Sequence, residues 1–185
     1  MRKKFFILFI ILFFILLCIL LLYLQLYFFF PIRHTDIIKK YSAKFNLDYV
    51  LVMSIINVES SYKTDAISSS DALGLMQLKL STASDMAKSL NDSLPTKHDL
   101  FDVELNIKYG CAYLRYLLDY YDNNLINSLC AYNAGLGNVN EWLNHDNLDK
   151  GQTVKRILFE ETDNYINKVN LNKRAYNLYK KLGKI

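Results

Sequence analysis

Hydrophobic residues are distributed along this chain in two different ways. From Phe5 to Phe30 they form an almost uninterrupted run, relieved only by the mildly polar Gln25, and such a run exceeds the roughly 20 residues that cross a bilayer as a helix. A buried core helix is a poor alternative, because no polar face exists to meet water. Beyond Pro31 the apolar positions recur instead at helical spacing, interrupted by polar breaks. Ile37, Ile38, Tyr41 and Phe45 mark a short amphipathic helix, and Asp48 stands as N-cap before the apolar run Tyr49 to Glu59 (YVLVMSIINVE). Ser60 to Asp71 carries five serines without periodicity and reads as a loop over one side of a cleft. Ser81 opens a helix through Leu90, which Leu94-Pro95 breaks. Asp102 begins a long helix with apolar positions at Leu105, Tyr109, Tyr113, Tyr116 and Leu117. Leu125 to Ala134 predicts a short helix stopped by Gly135, and a last long helix runs from about Glu160 to Leu182. Gly135-Leu136-Gly137 is read as a turn, since no strand precedes it and the third glycine of a phosphate loop is missing.

With 6 Gly and 2 Pro in 185 residues and no alternating pattern, the fold class is all-α. Two segments follow: 1–30, a cytoplasmic tip and membrane anchor, and 31–185, one compact domain large enough for its own core. The charge has a topological meaning. Arg2, Lys3 and Lys4 account for three of the 22 basic residues and precede every acid, which leaves 19 against 18. A balanced remainder carries no basic footprint for nucleic acid, while the three leading charges place the N-terminus inside and the domain outside the cell membrane. The apolar run ends Tyr27-Phe28-Phe29-Phe30-Pro31 without a small-residue cleavage pattern, so the anchor is expected to stay uncleaved.

Of three cysteines, Cys18 lies in the anchor as lipid-facing filler. Cys111 and Cys130 fall on helices that form a hairpin around Asn123-Asn124, and are either a disulfide or two buried thiols. His34, His98 and His145 have no metal-ligand spacing, so neither a metal nor a cofactor is expected.

The chemistry concentrates at Glu59. A carboxyl group delivered to a cleft from the last turn of an apolar helix loses hydration, and desolvation raises its pKa so that it stays protonated near neutrality, as a general acid must. Around it stand Glu59-Ser60-Ser61-Tyr62, Gly74-Leu75-Met76-Gln77, Ala131-Tyr132-Asn133-Ala134-Gly135 and Glu161-Thr162-x-x-Tyr165, with Asp99-Leu100-Phe101-Asp102, Asn106-Ile107, Gly110 and Tyr113-Leu114 between them. In order and spacing these motifs resemble the soluble lytic transglycosylase domain, a relative of goose-type lysozyme, over roughly Asp36 to Tyr179.

That resemblance implies a lysozyme-like helical fold acting on the glycan strands of peptidoglycan. It makes Glu59 the single catalytic acid and base. Ser60 matches a hydroxyl holding the sugar, Met76 and Gln77 match residues lining the saccharide cleft, and Tyr132 and Asn133 match a pair that orients the carboxyl and contacts substrate. Tyr165 matches an aromatic closing the cleft from the last helix. Leu75 is expected in the core. In the implied reaction Glu59 protonates the oxygen leaving C1 of N-acetylmuramic acid, and its carboxylate then takes the proton of the same sugar's C6 hydroxyl, closing a 1,6-anhydro ring. An internal hydroxyl has an effective-molarity advantage over water that reaches about 10⁵ M and beyond, so the second carboxylate of most glycosidases is not required.

The chain departs from the family pattern at Asp71, often Gly, and at Lys79-Leu80, often Met-Pro. Goose-type lysozymes carry acids where this chain has Lys79 and about Ser68, which favours transglycosylation over hydrolysis. The rival readings are a hydrolysing muramidase and a catalytically silent glycan-binding module within an envelope or secretion assembly.

Overall fold

The protein is described here by a computed structural model covering residues 2–185. It comprises two units, one ending at Pro31 and the other spanning Ile32–Ile185. In the first, α1 (Arg2–Phe29) is a 28-residue helix, about 42 Å long at 1.5 Å per residue against a hydrocarbon core of about 30 Å. It is long and apolar enough to cross a membrane.

The second unit is helical, with isolated bridges but no strand among the described residues. α2 (Thr35–Lys44) leads into α3 (Tyr49–Ser60). α4 is Leu80–Ser89, a 3₁₀ turn covers His98–Phe101, and α5 is Val103–Tyr120. α6 (Leu125–Ala134), α7 (Leu136–His145) and α8 (Glu160–Lys181) complete the order. α3 is the core helix: Val50 to Ile56 are all buried, which is why its sequence is apolar on every face. It packs chiefly on α8, while α2 rests on both α3 and α5. Asp48 caps it as expected, its carboxylate accepting from Val50 N at 3.0 Å. Asp102 caps α5 in the same way through Leu105 N at 2.8 Å.

Two expectations need correction, and one alternative is decided. α4 ends at Ser89, with Asn91 in the left-handed region (φ 57°) ahead of Pro95, so an asparagine and not the Leu94-Pro95 pair ends it. Gly135-Leu136-Gly137 is not a turn throughout. Gly135 alone is the hinge, with φ 90° and ψ 147°, and Leu136 and Gly137 already belong to α7. That helix hides in sequence because Gly137, Asn138, Asn140 and Asn144 are weak helix formers, yet its buried Val139, Trp142 and Leu143 keep helical spacing. Cys111 and Cys130 are free, buried thiols, and burial raises the pKa of both.

Candidate active site

The loop between α3 and α4 is shaped by polar side chains that claim its backbone. Asn106 of α5 is fully buried and makes three of these bonds: its amide donates to Leu73 O at 2.9 Å and Leu100 O at 2.8 Å, and its Oδ1 accepts from Met76 N at 2.7 Å. Gln77 Nε2 donates to Gly74 O at 2.8 Å and Ala66 O at 3.2 Å. Ser60 Oγ donates to Leu75 O at 2.8 Å, and the Tyr132 hydroxyl to Met76 O at 2.9 Å. Four successive carbonyls, Leu73 to Met76, are thus each met by a different side chain. Buried backbone groups require such partners, so the Gly-Leu-Met-Gln turn is fixed from three helices at once. Gly74, at φ 73°, is needed because a Cβ there would overlap Leu100 O and the Asn106 amide. Gly110 leaves room on α5 for Met76.

This turn forms part of a cleft of about 370 Å³. Glu59 reaches it from the end of α3, and the loop and the start of α4 contribute Ser68, Ser69, Ser70, Ala72, Gln77, Leu78, Lys79 and Thr82. Tyr113 comes from α5, Tyr132 to Gly135 from the end of α6, and Glu161 from the first turn of α8. Asn133 is held there by the Thr162 hydroxyl, which donates to its Oδ1 at 2.8 Å.

Glu59 is half-buried, with an edge on the cleft and most of its surroundings protein. Burial raises its pKa from 4.5 to about 7. The Tyr165 hydroxyl beside it works the other way by favouring the carboxylate, and the Glu161 charge adds to the rise. That tyrosine is buried and its hydroxyl closes no well-formed hydrogen bond, and desolvation is the larger effect on Glu59. The result is a carboxyl group still about half protonated at neutral pH in a solvent-accessible cleft, and the protonated form is the state in which it can give a proton to a leaving oxygen.

Residues 36–154 match the Transglycosylase SLT domain family. The chain belongs to this family. Over 155 residues it is 34% identical to the soluble lytic murein transglycosylase of Escherichia coli strain K12, covering 81% of this chain and 23% of that relative. It is 37% identical over 134 residues to the membrane-bound lytic murein transglycosylase C of Edwardsiella ictaluri, covering 68% and 36%. The crystal structure of the 70 kDa soluble lytic transglycosylase of Escherichia coli superimposes with a TM-score of 0.72 at 30% identity, over 81% of this chain and 25% of that one. The chain thus spans about a quarter to a third of these proteins, and the fold it shares with them is the lysozyme-like helical domain.

Within this SLT domain the expected site residues divide by what they touch. Glu59, Gln77, Tyr132 and Asn133 line the cleft. Ser60 and Met76 are brought to it but lie behind its wall: Ser60 is buried against Leu75 O, and Met76 is 0% exposed. Tyr132 was expected to orient Glu59, but its hydroxyl is committed to Met76 O, and Tyr165 is the phenol that faces the carboxyl. Asp71, where the family often has Gly, adopts a left-handed conformation (φ 61°) outside the cleft lining and pairs with Lys97 at 3.1 Å. Ser68 and Lys79 do line the cleft. Glu161 is part of the Glu161-Thr162-x-x-Tyr165 motif, but its place in the site depends on α8 bringing its first turn to the cleft. Asn106 was legible only as a motif position, because its partners lie up to 33 residues away.

Proposed function

We propose that residues 31–185 form a lytic transglycosylase domain that cleaves the β-1,4 bond between N-acetylmuramic acid and N-acetylglucosamine in peptidoglycan, with residues 1–30 as its membrane anchor. The observation that carries this reading is Glu59, a carboxyl group with a pKa near 7 opening onto a cleft. The names of the relatives, soluble and membrane-bound lytic murein transglycosylases, support it. Glu59 gives its proton to the oxygen leaving C1 as the C1–O bond breaks. The C6 hydroxyl of the same sugar then bonds to C1 and its proton returns to Glu59, so the enzyme ends as it began and the product carries a 1,6-anhydro end. Gln77, Tyr132 and Asn133 contact the saccharide, while Ser60, Met76 and Tyr165 serve by fixing the loop and the acid. Hydrolysis is the second reading, favoured by one observation: Glu161 puts a second carboxylate in the cleft, which a water nucleophile needs as its base.

The pH dependence of kcat/KM tests the role of Glu59. Because the first step needs its protonated form, activity is expected to fall as pH rises through about 7. Tyr165→Phe removes the group that favours the carboxylate, so it should move this limb to higher pH. Glu161→Gln removes a neighbouring negative charge and should move it to lower pH. Limbs that coincide in all three proteins would assign the titration to another group.

Topology decides whether the cleft meets this substrate. The excess of Arg2, Lys3 and Lys4 before the span over Arg33 after it supports an N-terminus in the cytoplasm and a domain outside. Protease added to intact, wall-stripped cells is expected to digest the domain, and the undigested protein should sediment with membranes at full mass. Protection of the domain would reverse the orientation.

A further inference from the structure

A row of tyrosines leaves the cleft along α5. Tyr113 lines the cleft, with its ring centroid 5.4 Å from that of Tyr132. Tyr116 follows at 6.4 Å with an interplanar angle of 16°, and Tyr120 at a further 6.2 Å and 37°. Positions 113, 116 and 120 share one face of the helix, whereas Leu114, Leu117 and Leu118 take the face that enters the core. Nearly parallel rings 6.4 Å apart are not in face-to-face contact, which would bring the planes to about 3.5–4 Å. With their planes nearly aligned, the Tyr113 and Tyr116 rings form an aromatic platform that runs on from the cleft lining along α5. Tyr116 is 46% exposed. A single exposed aromatic calls for no explanation, but this one extends a cleft wall and is propped from behind. Tyr120 supports it, and is itself fixed by Asn140 Nδ2, which donates to its hydroxyl at 2.8 Å, and by the Lys150 ammonium 3.7 Å from its ring centroid.

We infer that the Tyr113–Tyr116 platform binds the glycan strand beyond the sugars held at Glu59. Pyranose rings present C–H faces that lie flat on an aromatic ring, and a phenol adds a hydroxyl at the ring edge for the flanking polar groups. Stacking of this kind does not discriminate among successive sugars, as suits a repeating polymer. The platform consequently confers a preference for long strands over short fragments. This rests on the glycan-cleaving reading above.

The test uses the full chain in detergent, carrying Glu59→Gln so that bound strands are not cut, and measures Kd by calorimetry for N-acetylglucosamine–N-acetylmuramic acid oligosaccharides from disaccharide to octasaccharide. Affinity is expected to rise with length in this parent. Adding Tyr116→Leu, which keeps apolar bulk without a ring face, should weaken octasaccharide binding roughly tenfold, the scale of one aromatic anchor, and flatten the length dependence. Tyr116→Phe should restore it. Octasaccharide binding unaltered by Tyr116→Leu, or an equal loss on the shortest and longest ligands, would overturn the inference, as would a parent that binds all lengths alike. A parent that binds none of them would overturn the glycan reading as well.

Discussion

Glu59→Gln is expected to lower turnover of peptidoglycan by at least about 10², the lower end for loss of a general acid, and at the same time to stabilise the folded domain above neutral pH. Both effects come from one cause. The cleft holds the carboxyl group at a pKa of about 7, against an ordinary value of 4.5, so between these values the unfolded chain has released a proton that the folded chain still binds. A group raised in this way makes unfolding easier as pH rises from about 4.5 to about 7, after which the penalty is constant. Glutamine has the same shape and no proton to lose. Melting curves of mutant and wild type should coincide near pH 4 and separate with increasing pH, the mutant higher, while zymography shows the loss of lysis. A mutant that melts below wild type at pH 8, or that lyses walls at a normal rate, would remove Glu59 from the centre of the mechanism.

Asn106→Leu is expected to have the largest effect on stability. The substitution nearly preserves volume but removes three buried hydrogen bonds. Leu73 O keeps the bond it accepts from Leu78 N, whereas Met76 N–H and Leu100 O lose their partner. Stranding a buried polar group costs about 1–3 kcal/mol, so a total on the order of 2–6 kcal/mol is expected, a large part of the 5–15 kcal/mol that keeps a typical domain folded. Thermal unfolding followed by circular dichroism at 222 nm should show a much lower midpoint, and soluble protein that remains should have lost the cleft with the turn. An unchanged midpoint would mean that the Gly74–Gln77 turn is held from elsewhere.

What the sequence discloses and what it conceals follow a physical division. Local rules sufficed for the caps at Asp48 and Asp102, which bond two and three residues ahead, for the all-apolar α3, and for the carboxyl group at its end. They did not reveal which motif residues line the cleft. Ser60 and Tyr132 spend their hydroxyls on carbonyls 15 and 56 residues away, and no spacing rule announces such a bond. Met76 looked like a wall residue and is core, because Gly110 opens a place for it on a helix far along the chain. Tyr165 was read as an aromatic lid, yet the position of its hydroxyl beside Glu59 depends on α8 packing against α3. The missed α7 is the opposite case: its local signal was present in Val139, Trp142 and Leu143 but was masked by glycine and asparagine.

The most direct measurement is mass spectrometry of the soluble fragments that the purified protein releases from peptidoglycan. Internal attack by the C6 hydroxyl leaves muramic acid ends lighter by one water and without a reducing carbon, and these are the expected product, absent from digests with Glu59→Gln. Reducing ends from the wild type would show that water reaches C1, with Glu161 the nearest candidate for its base; intact strands would contradict the enzymatic reading altogether.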